Sequence, residues 1–332
     1  MLDAFISYKA KPARRDVGGE PVASKLPRPW VVELDDVSFA GDDDPENFDI
    51  GKPEALLLAA AEADAAAPAV PEISYVRYKL KSGKQSVGPA DGSGRFPRPA
   101  PHRKRLWQLE NSLGTIRVES HKETAFLLAI AHSVAPAAAP ALPGAATNFI
   151  CYKVKATSDV SAQTPESVPG SGIGRYDKSL EVFASDAFAD CIFDSALDVS
   201  FAGSSVAGKC LFDLRKVEEI CSPVHLTETE APRETAAFDI DPAPATTVTA
   251  LLCYDGRLAK RIDSSAAAAL AEMVQGTTIT PRQLGHERRR VRDGNPVQAA
   301  PGSNFPVPTL LESVKVEQVC LPTVVHSVDL LP

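Results

Sequence analysis

Apolar and polar positions alternate with a period of two in short runs along the chain, and one such run returns four times. Phe5-Ile6-Ser7-Tyr8-Lys9-Ala10-Lys11 recurs as Tyr75-Val76-Arg77-Tyr78-Lys79-Leu80-Lys81 and as Phe149-Ile150-Cys151-Tyr152-Lys153-Val154-Lys155. A weaker copy is Leu251-Leu252-Cys253-Tyr254-Asp255-Gly256-Arg257, so the tyrosines stand 70, 74 and 102 residues apart. Ile6, Tyr8 and Ala10 share one face of an extended chain, as do Val76, Tyr78, Leu80 and Ile150, Tyr152, Val154. Alternation of β-branched and aromatic residues predicts a half-buried strand, with Lys9, Lys79 and Lys153 placing solvent on the other face.

A second block follows each first one. Lys216-Val217-Glu218-Glu219-Ile220-Cys221-Ser222-Pro223 aligns without a gap on Lys315-Val316-Glu317-Gln318-Val319-Cys320-Leu321-Pro322. The first two copies keep the lysine and the apolar positions, as Lys52 with Leu56 and Leu57, and Lys122 with Phe126 and Leu127. Phe48 and Ile50, then Phe212 and Leu214, continue the alternation ahead of the lysine. Asp36-Val37-Ser38-Phe39-Ala40-Gly41 reappears as Asp198-Val199-Ser200-Phe201-Ala202-Gly203. The expectation is an all-β protein of four tandem antiparallel modules at 1–70, 71–146, 147–246 and 247–332, each of three or more strands. Ala/Pro-rich linkers at 64–71, 135–146 and 239–245 separate them. Units of this size bury only a modest core alone, so they should pack together or be cross-linked. One short helix is predicted in the long insertion of the fourth module, capped by Asp263-Ser264-Ser265, running from Ala266 to Val274 and stopped by Gly276. The stretch from Glu54 to Ala67 has helix-forming composition, but its start coincides with the repeated strand, where tertiary context should override propensity.

The six cysteines follow the repeat. Cys151 and Cys221 occupy the two blocks of the third module, and Cys253 and Cys320 the same places in the fourth. The first module has Ser7 and Leu57 there, the second Arg77 and Leu127. Positions that are cysteine together or not at all behave as bonded partners, which pairs Cys151 with Cys221 and Cys253 with Cys320 and leaves Cys191 with Cys210. Buried free thiols are the alternative; zinc is disfavoured, because no pair has ligand spacing. Disulfides place the chain in an oxidising compartment, extracellular or at the cell surface. Met1-Leu2-Asp3-Ala4-Phe5 has neither a basic nor an apolar leader region, so a signal peptide is expected to be absent from this numbering.

The pattern Cys-Tyr-Lys-Val-Lys, a Phe-containing strand, then Lys-x-x-x-Ile/Val-Cys-x-Pro resembles a bacterial repeat domain of unknown function found in secreted proteins, often in tandem. Residues 149–223 carry both hallmarks, and 251–322 carry Cys253-Tyr254 and Cys320-Leu321-Pro322; the first two modules lack the cysteines. The resemblance implies secretion and a β module, and no reaction.

Charge and motifs narrow the classes. The formal net charge of −8 argues against a protein built to wrap nucleic acid or an anionic membrane. The most apolar stretch, Phe126 to Ala146, is alanine-rich and broken by Pro136, Pro140 and Pro143, so no membrane span is read. Gly170-Ser171-Gly172-Ile173-Gly174 lacks the Lys-Ser/Thr of a phosphate loop, and the histidines (His102, His121, His132, His225, His286, His326) have no ligand spacing. Hence no catalytic residue, cofactor site or metal site is assigned. Asp42-Asp43-Asp44-Pro45-Glu46-Asn47 lacks the order of a calcium loop and reads as solvated, with calcium as the alternative. Two basic clusters, His102-Arg103-Lys104-Arg105 and Arg288-Arg289-Arg290-Val291-Arg292, read as complements to an acidic surface on a neighbouring module or subunit.

These features favour an extracellular structural or self-assembling surface protein (filament, sheath or coat subunit), with a secreted module binding a glycan or protein partner as the alternative, and an enzyme last. Self-association is the expected partnership. The candidate assembly contacts are Arg288, Arg289 and Arg290 together with Val324, Val325, Val328, Leu330 and Leu331 of the apolar C-terminal stretch. That stretch is expected to pair with a sheet edge, in its own chain or, as a head-to-tail connector, in the next.

Overall fold

Both blocks of every repeat are strands, because each finds a hydrogen-bonded neighbour on either side. The computed structural model describes residues 4–12, 31–39, 46–62, 73–81, 102–134, 146–157, 180–185, 200–201, 204–205, 210–229, 238–239, 249–258, 297–301 and 310–331. The first blocks form β1 (Ala4–Pro12), β4 (Ser74–Lys81), β7 (Asn148–Ala156) and β13 (Thr249–Leu258). The second blocks form the long strands β3 (Glu46–Glu62), β6 (Gly114–Val134), β11 (Cys210–Thr229) and β15 (Leu310–Leu330). Between the blocks lie β2 (Val31–Asp36) with a 3-10 turn at Val37–Phe39, β5 (Arg105–Asn111), β8 (Leu180–Ser185) and β14 (Val297–Pro301). Three two-residue strands complete the set: β9 (Ser200–Phe201), β10 (Ser204–Ser205) and β12 (Phe238–Asp239). The all-β expectation holds. The helix-favouring Glu54-Ala55-Leu56-Leu57-Leu58-Ala59-Ala60-Ala61-Glu62 is strand, laddered to β1 through Leu56↔Tyr8 and to β4 through Leu57↔Tyr75. The segment predicted as a helix, Ala266 to Val274, lies outside the described residues.

Eight strands close into an antiparallel barrel. Following the ladders, β1 pairs with β3, β3 with β4, β4 with β6, β6 with β7, β7 with β11, β11 with β13, β13 with β15, and β15 with β1 again. The seal joins the first and fourth repeats, with Phe5 opposite Cys320 and Ile6 opposite Val319. Where β13 passes β15, a side chain on Gly256 would sit 2.8 Å from Val319 Cγ2 and 2.9 Å from its amide nitrogen, so only glycine fits that approach.

The connecting strands then lock opposite repeats together. β2 of the first repeat pairs with its own β3 and with β11 of the third, and β8 of the third pairs with its own β11 and with β3 of the first. β5 and β14 do the same for the second and fourth repeats, on β6 and β15. Ladders cross every described boundary between the four sequence repeats, so their strands share one interlocked sheet.

Side-chain contacts show which face is inside. Phe5 on β1, Tyr75 on β4 and Phe149 on β7 occupy alternate strands of the ring, yet their rings meet edge to face at 5.1 and 5.4 Å. Such convergence across an intervening strand requires the concave side. The lumen thus holds Phe5, Tyr75, Phe149 and Leu251, with Leu57, Leu127, Cys151, Cys221, Cys253 and Cys320 next along the axis. The repeated Tyr8, Tyr78, Tyr152 and Tyr254 face outward and are nevertheless buried, under the larger core that includes Val32, Leu34, Trp107 and Leu109 of β2 and β5. Asn111 Nδ2 on β5 donates to Tyr254 Oη at 2.9 Å, which fixes that layer. The strands expected to be half-buried are covered on both faces, and only their lysine ends emerge at the mouth: Lys9, Lys79 and Lys153 are exposed.

Cys151 is disulfide-bonded to Cys221 and Cys253 to Cys320, as the repeat implied. Cys191 and the side chain of Cys210 lie outside the described residues. The C-terminal stretch takes the in-chain alternative: Val324 to Leu330 ladder against Glu110 to Arg105 of β5, and the Leu331 amide donates to the Lys104 carbonyl at 2.9 Å. β5 thus fills one edge that a head-to-tail connector would have offered to a neighbour.

The bonds close loops of 70 and 67 residues, and each should contribute about 4 kcal/mol through the entropy of the unfolded chain. Replacing either pair by alanine should therefore lower the urea midpoint clearly, and alkylation before reduction should leave all four cysteines unlabelled in intact-mass spectra. Labelling of these four in the native protein would contradict the assignment.

Candidate functional site

At one end of the lumen the apolar layers give way to polar ones. In ring order from β1, β4 is third and β11 sixth, almost opposite across the barrel. Arg77 of β4 reaches over that gap: its Nη2 donates to Glu219 Oε1 at 2.6 Å, while Nη1 donates to Glu54 Oε2 on neighbouring β3 at 3.1 Å. Gln318 of β15 donates through Nε2 to Glu218 Oε2 at 3.1 Å and to Glu219 Oε2 at 3.5 Å. Burial alone would lower the pKa of Arg77, but the adjacent Glu219 and Glu54 carboxylates raise it above the usual guanidinium value, so the cation is fixed. One buried guanidinium thus ties three strands across the mouth.

Above this tie lies a cavity of about 330 Å³. Ser7, Arg77 and Gln318 line it, with the carboxylates of Glu218, Glu219, Asp255 and Glu317 and the guanidinium of Arg257. Two of its polar groups lack partners. Ser7 is 1% exposed and its Oγ has no hydrogen bond, and neither does Arg77 Nε. A buried polar group left unpaired costs about 1–3 kcal/mol, so this pair marks a place where the fold forgoes stability. Ser7 and Arg77 stand at the positions that Cys151 and Cys253 fill in the other repeats. That substitution pattern was the sequence signal for the site, a polar residue at a position the repeat otherwise buries.

A second polar cluster joins the first repeat to the third. Asp36 ends β2 and accepts from Tyr152 Oη at 2.6 Å, from Ser222 Oγ at 2.5 Å and from the Ser38 amide at 2.9 Å; the Ser38 and Ser222 hydroxyls are 2.6 Å apart. The residue is half-buried but its carboxyl is enclosed. Burial pushes that carboxyl up to about 6, against the downward pull of the Ser222 and Tyr152 hydroxyls, the Ser38 amide and Arg105. Glu46 and Glu123 are the acidic groups that act on Tyr152 alongside it.

The structure also aligns a serine, a histidine and a carboxylate that sequence spacing did not reveal. His102 Nε2 lies 3.1 Å from Ser120 Oγ and its Nδ1 2.9 Å from Glu123 Oε1. The order matches a nucleophile, base and orienting acid. However, Ser120 is fully buried, with its Oγ 3.5 Å from the Arg105 carbonyl, so a substrate has no route to it in this conformation. The relay holds the start of β5 against β6. The first basic cluster is accounted for in the same way: His102 pairs with Glu123, Lys104 with Glu119 at 2.8 Å, and Arg105 is buried. The acidic groups that meet His102 and Lys104 lie within the same repeat, while Arg105 acts on Asp36 of the first repeat, a neighbouring module as the sequence suggested.

The remaining candidates scatter. Val324 and Leu330 are exposed, Val325, Val328 and Leu331 are half-buried, and Arg288, Arg289, Arg290, the Gly170–Gly174 stretch and Asp42 to Pro45 lie outside the described residues. Among the described residues no group of histidine, cysteine and acidic side chains could hold a metal ion, and no helix is long and apolar enough to cross a membrane.

Replacing Arg77 by Met strands two carboxylates in the mouth and should cost about 3–5 kcal/mol in urea unfolding, whereas Arg77→Met combined with Glu219→Met should recover most of that loss. Equal destabilisation by the single and double variants would show that the pair is not coupled. For Asp36 the folded pKa lies above the ordinary value of 3.8, so its contribution is fully present below that pH and disappears as pH rises through about 6. Over that window Asp36→Asn should flatten the pH dependence of the urea midpoint, by up to about 1.4 kcal/mol per pH unit. An unchanged slope would assign the dependence elsewhere.

No protein-family profile matches the chain, and neither a curated protein nor a solved structure matches it.

Proposed function

We propose that this protein is a secreted, non-catalytic binding module that presents the polar mouth of a stapled β-barrel to a small extracellular partner or glycan. The observation that carries the reading is the mouth itself. A barrel of eight strands is just wide enough for side chains to fill it, and this one is filled at its centre by aromatic rings and disulfides yet keeps a polar cavity at one end with buried hydrogen-bonding groups unpaired. A purely structural plug would do better with apolar residues there. The two disulfides support an oxidising compartment, as does the likeness of the Cys-Tyr-Lys-Val-Lys hallmarks to secreted tandem repeats.

A second reading is a self-assembling surface subunit, and one observation favours it. Val324 and Leu330 on the last strand are 47% and 50% exposed, large apolar side chains on a segment whose backbone is already paired. Ring closure argues the other way, since the eight barrel strands spend their edges on one another. Light scattering after size exclusion, with negative-stain microscopy over a wide concentration range, should find a monomer throughout. Filaments or sheets that vanish in a Val324→Ser/Leu330→Ser variant of unchanged melting temperature would replace the binding module by the structural subunit.

A further inference from the structure

Resting on the binding reading above, we propose that a basic arc on one half of the mouth binds a linear acidic polysaccharide through its sulfate or carboxylate groups. The arc is built from the lysines of the two repeated blocks. In the ladder between β6 and β7, Lys122 stands directly opposite Lys153. Between β3 and β4 the register breaks at Gly51 and Lys52, and this bulge lies against Lys79: a side chain on Gly51 would meet the Lys79 carbonyl oxygen at 2.9 Å. Lys9 stands opposite Lys315 where β1 meets β15. Each of these seams joins a second block to the first block of another repeat, so the repeat itself sets lysine against lysine. Like charges directly opposed across a ladder are destabilising.

The two halves of the mouth answer that opposition differently. On β11, β13, β15 and β1 the charges are matched: Lys216 with Glu218 at 3.1 Å, Arg257 with Asp255 at 3.9 Å, and Lys9 with Glu317 at 3.8 Å. Asp255 also replaces the first-block lysine at the fourth seam. On β3, β4, β6 and β7, consecutive strands of the ring, Lys52, Lys79, Lys122 and Lys153 are exposed and form no ion pair among the described residues. The nearby acids are engaged by other cations: Glu54 by Arg77, Glu123 by His102, and Glu119 by Lys104. Lys81, opposite Asp49, adds no net charge. Arg77 meets one carboxylate more than it neutralises, and Glu123 adds a second when His102 is neutral. Four lysines against those two leave the arc positive, and an anion from outside is what turns their mutual repulsion into attraction.

The spread of the lysines selects the form of the partner. Neighbouring strands lie about 4.8 Å apart, so Lys79 and Lys153, with β6 between them, stand about 10 Å apart. Exposed lysines hold single anions weakly, whereas a chain carrying several anions engages them together. Single-stranded nucleic acid gains much of its affinity by stacking on aromatic side chains, and none lines the mouth cavity. The oxidising setting that the disulfides support also favours an extracellular glycan. The chain's net charge of −8 repels a polyanion elsewhere, which confines the contact to the arc.

The test uses the full oxidised chain, titrated separately with a heparin octasaccharide, a neutral dextran octasaccharide and a single-stranded oligonucleotide matched to the heparin in anionic groups. Affinity is read by calorimetry across a range of salt concentrations. The heparin fragment should bind with a micromolar Kd at low salt, weaken steeply as salt is added, and bind at least about threefold tighter than the oligonucleotide. Lys79→Gln combined with Lys153→Gln should weaken it at least about tenfold, and the corresponding arginine pair should hold it within about twofold. Neither pair should lower the melting temperature, because these lysines have no partner to lose. Heparin binding that the glutamine pair leaves intact, or a melting temperature that it lowers, overturns the site. An oligonucleotide that binds as tightly as heparin or more tightly overturns the polysaccharide and reassigns the arc to nucleic acid. Equal binding of dextran overturns the ionic assignment and leaves the binding module standing. Silence from all three compounds overturns the inference, and the light-scattering outcome then decides the binding reading on its own.

Discussion

The hydrogen-bonded seal between β1 and β15 is the constraint on which the rest of the structure depends. A strand at an open edge leaves a row of unpaired amides and carbonyls. Here the first and last described barrel strands remove both rows by pairing with each other, from Phe5↔Cys320 to Pro12↔Leu311. The repeat makes such a closure available. Each copy contributes two antiparallel strands, so any whole number of copies brings the ends together in antiparallel register. Four copies give eight strands, a ring whose lumen can be filled by side chains. Once the ring is closed, the inner rings of Phe5, Tyr75 and Phe149 meet at the axis, and Arg77 is brought within 2.6 Å of Glu219 on the far side.

Closure leaves an outer face to be covered, and the solution is reciprocal. The second-block strands are long, up to 21 residues in β6 and β15, and overrun the barrel at both ends. The N-terminal part of each is met by the connecting strand of its own repeat and the C-terminal part by that of the repeat two places along, so the first and third copies clasp each other, as do the second and fourth. The outward tyrosines become the anchors of that clasp, Tyr152 through Asp36 and Tyr254 through Asn111. The cost is kinetic. Contacts between residues more than a hundred positions apart must form together, and chains dominated by such pairings fold slowly.

What could be read from the sequence and what could not divides along this line. Strand identity and two cysteine pairings follow from period-two alternation and from positions that vary together, because those signals are local or are copied between repeats. Among the described residues, Glu54 to Glu62 is helix-like in composition and is strand because ladders flank it on both sides. The shared barrel was not legible, since alternation does not say which strand is a neighbour, and it cannot distinguish a lumen from solvent at Ser7 or Arg77. The C-terminal stretch shows the same limit. Its apolar, β-branched pattern announced a strand, while the identity of its partner, β5 of the same chain, is a property of the closed sheet. The Ser120–His102–Glu123 alignment escaped notice because its three members come together only when β5 lies against β6.

The same two lumen positions resolve one physical problem in two ways. A side chain pointing into a barrel of this width must either satisfy itself or be apolar. In the third and fourth repeats the answer is covalent: Cys151 with Cys221 and Cys253 with Cys320 fill the space and pair with nothing else. In the first and second repeats Leu57 and Leu127 supply the apolar half, but Ser7 and Arg77 face them with polar groups. Arg77 is compensated by two carboxylates, and that compensation in turn holds Glu219 where Gln318 can reach it. Ser7 is not compensated from within the chain. Stability alone would favour alanine or a third cysteine pair at that position, since neither leaves an orphaned hydroxyl. On the proposed binding reading, a repeat that twice holds the covalent answer and elsewhere keeps an unsatisfied polar one has divided its work: one half of the ring secures the barrel, and the other leaves polar groups open at its mouth.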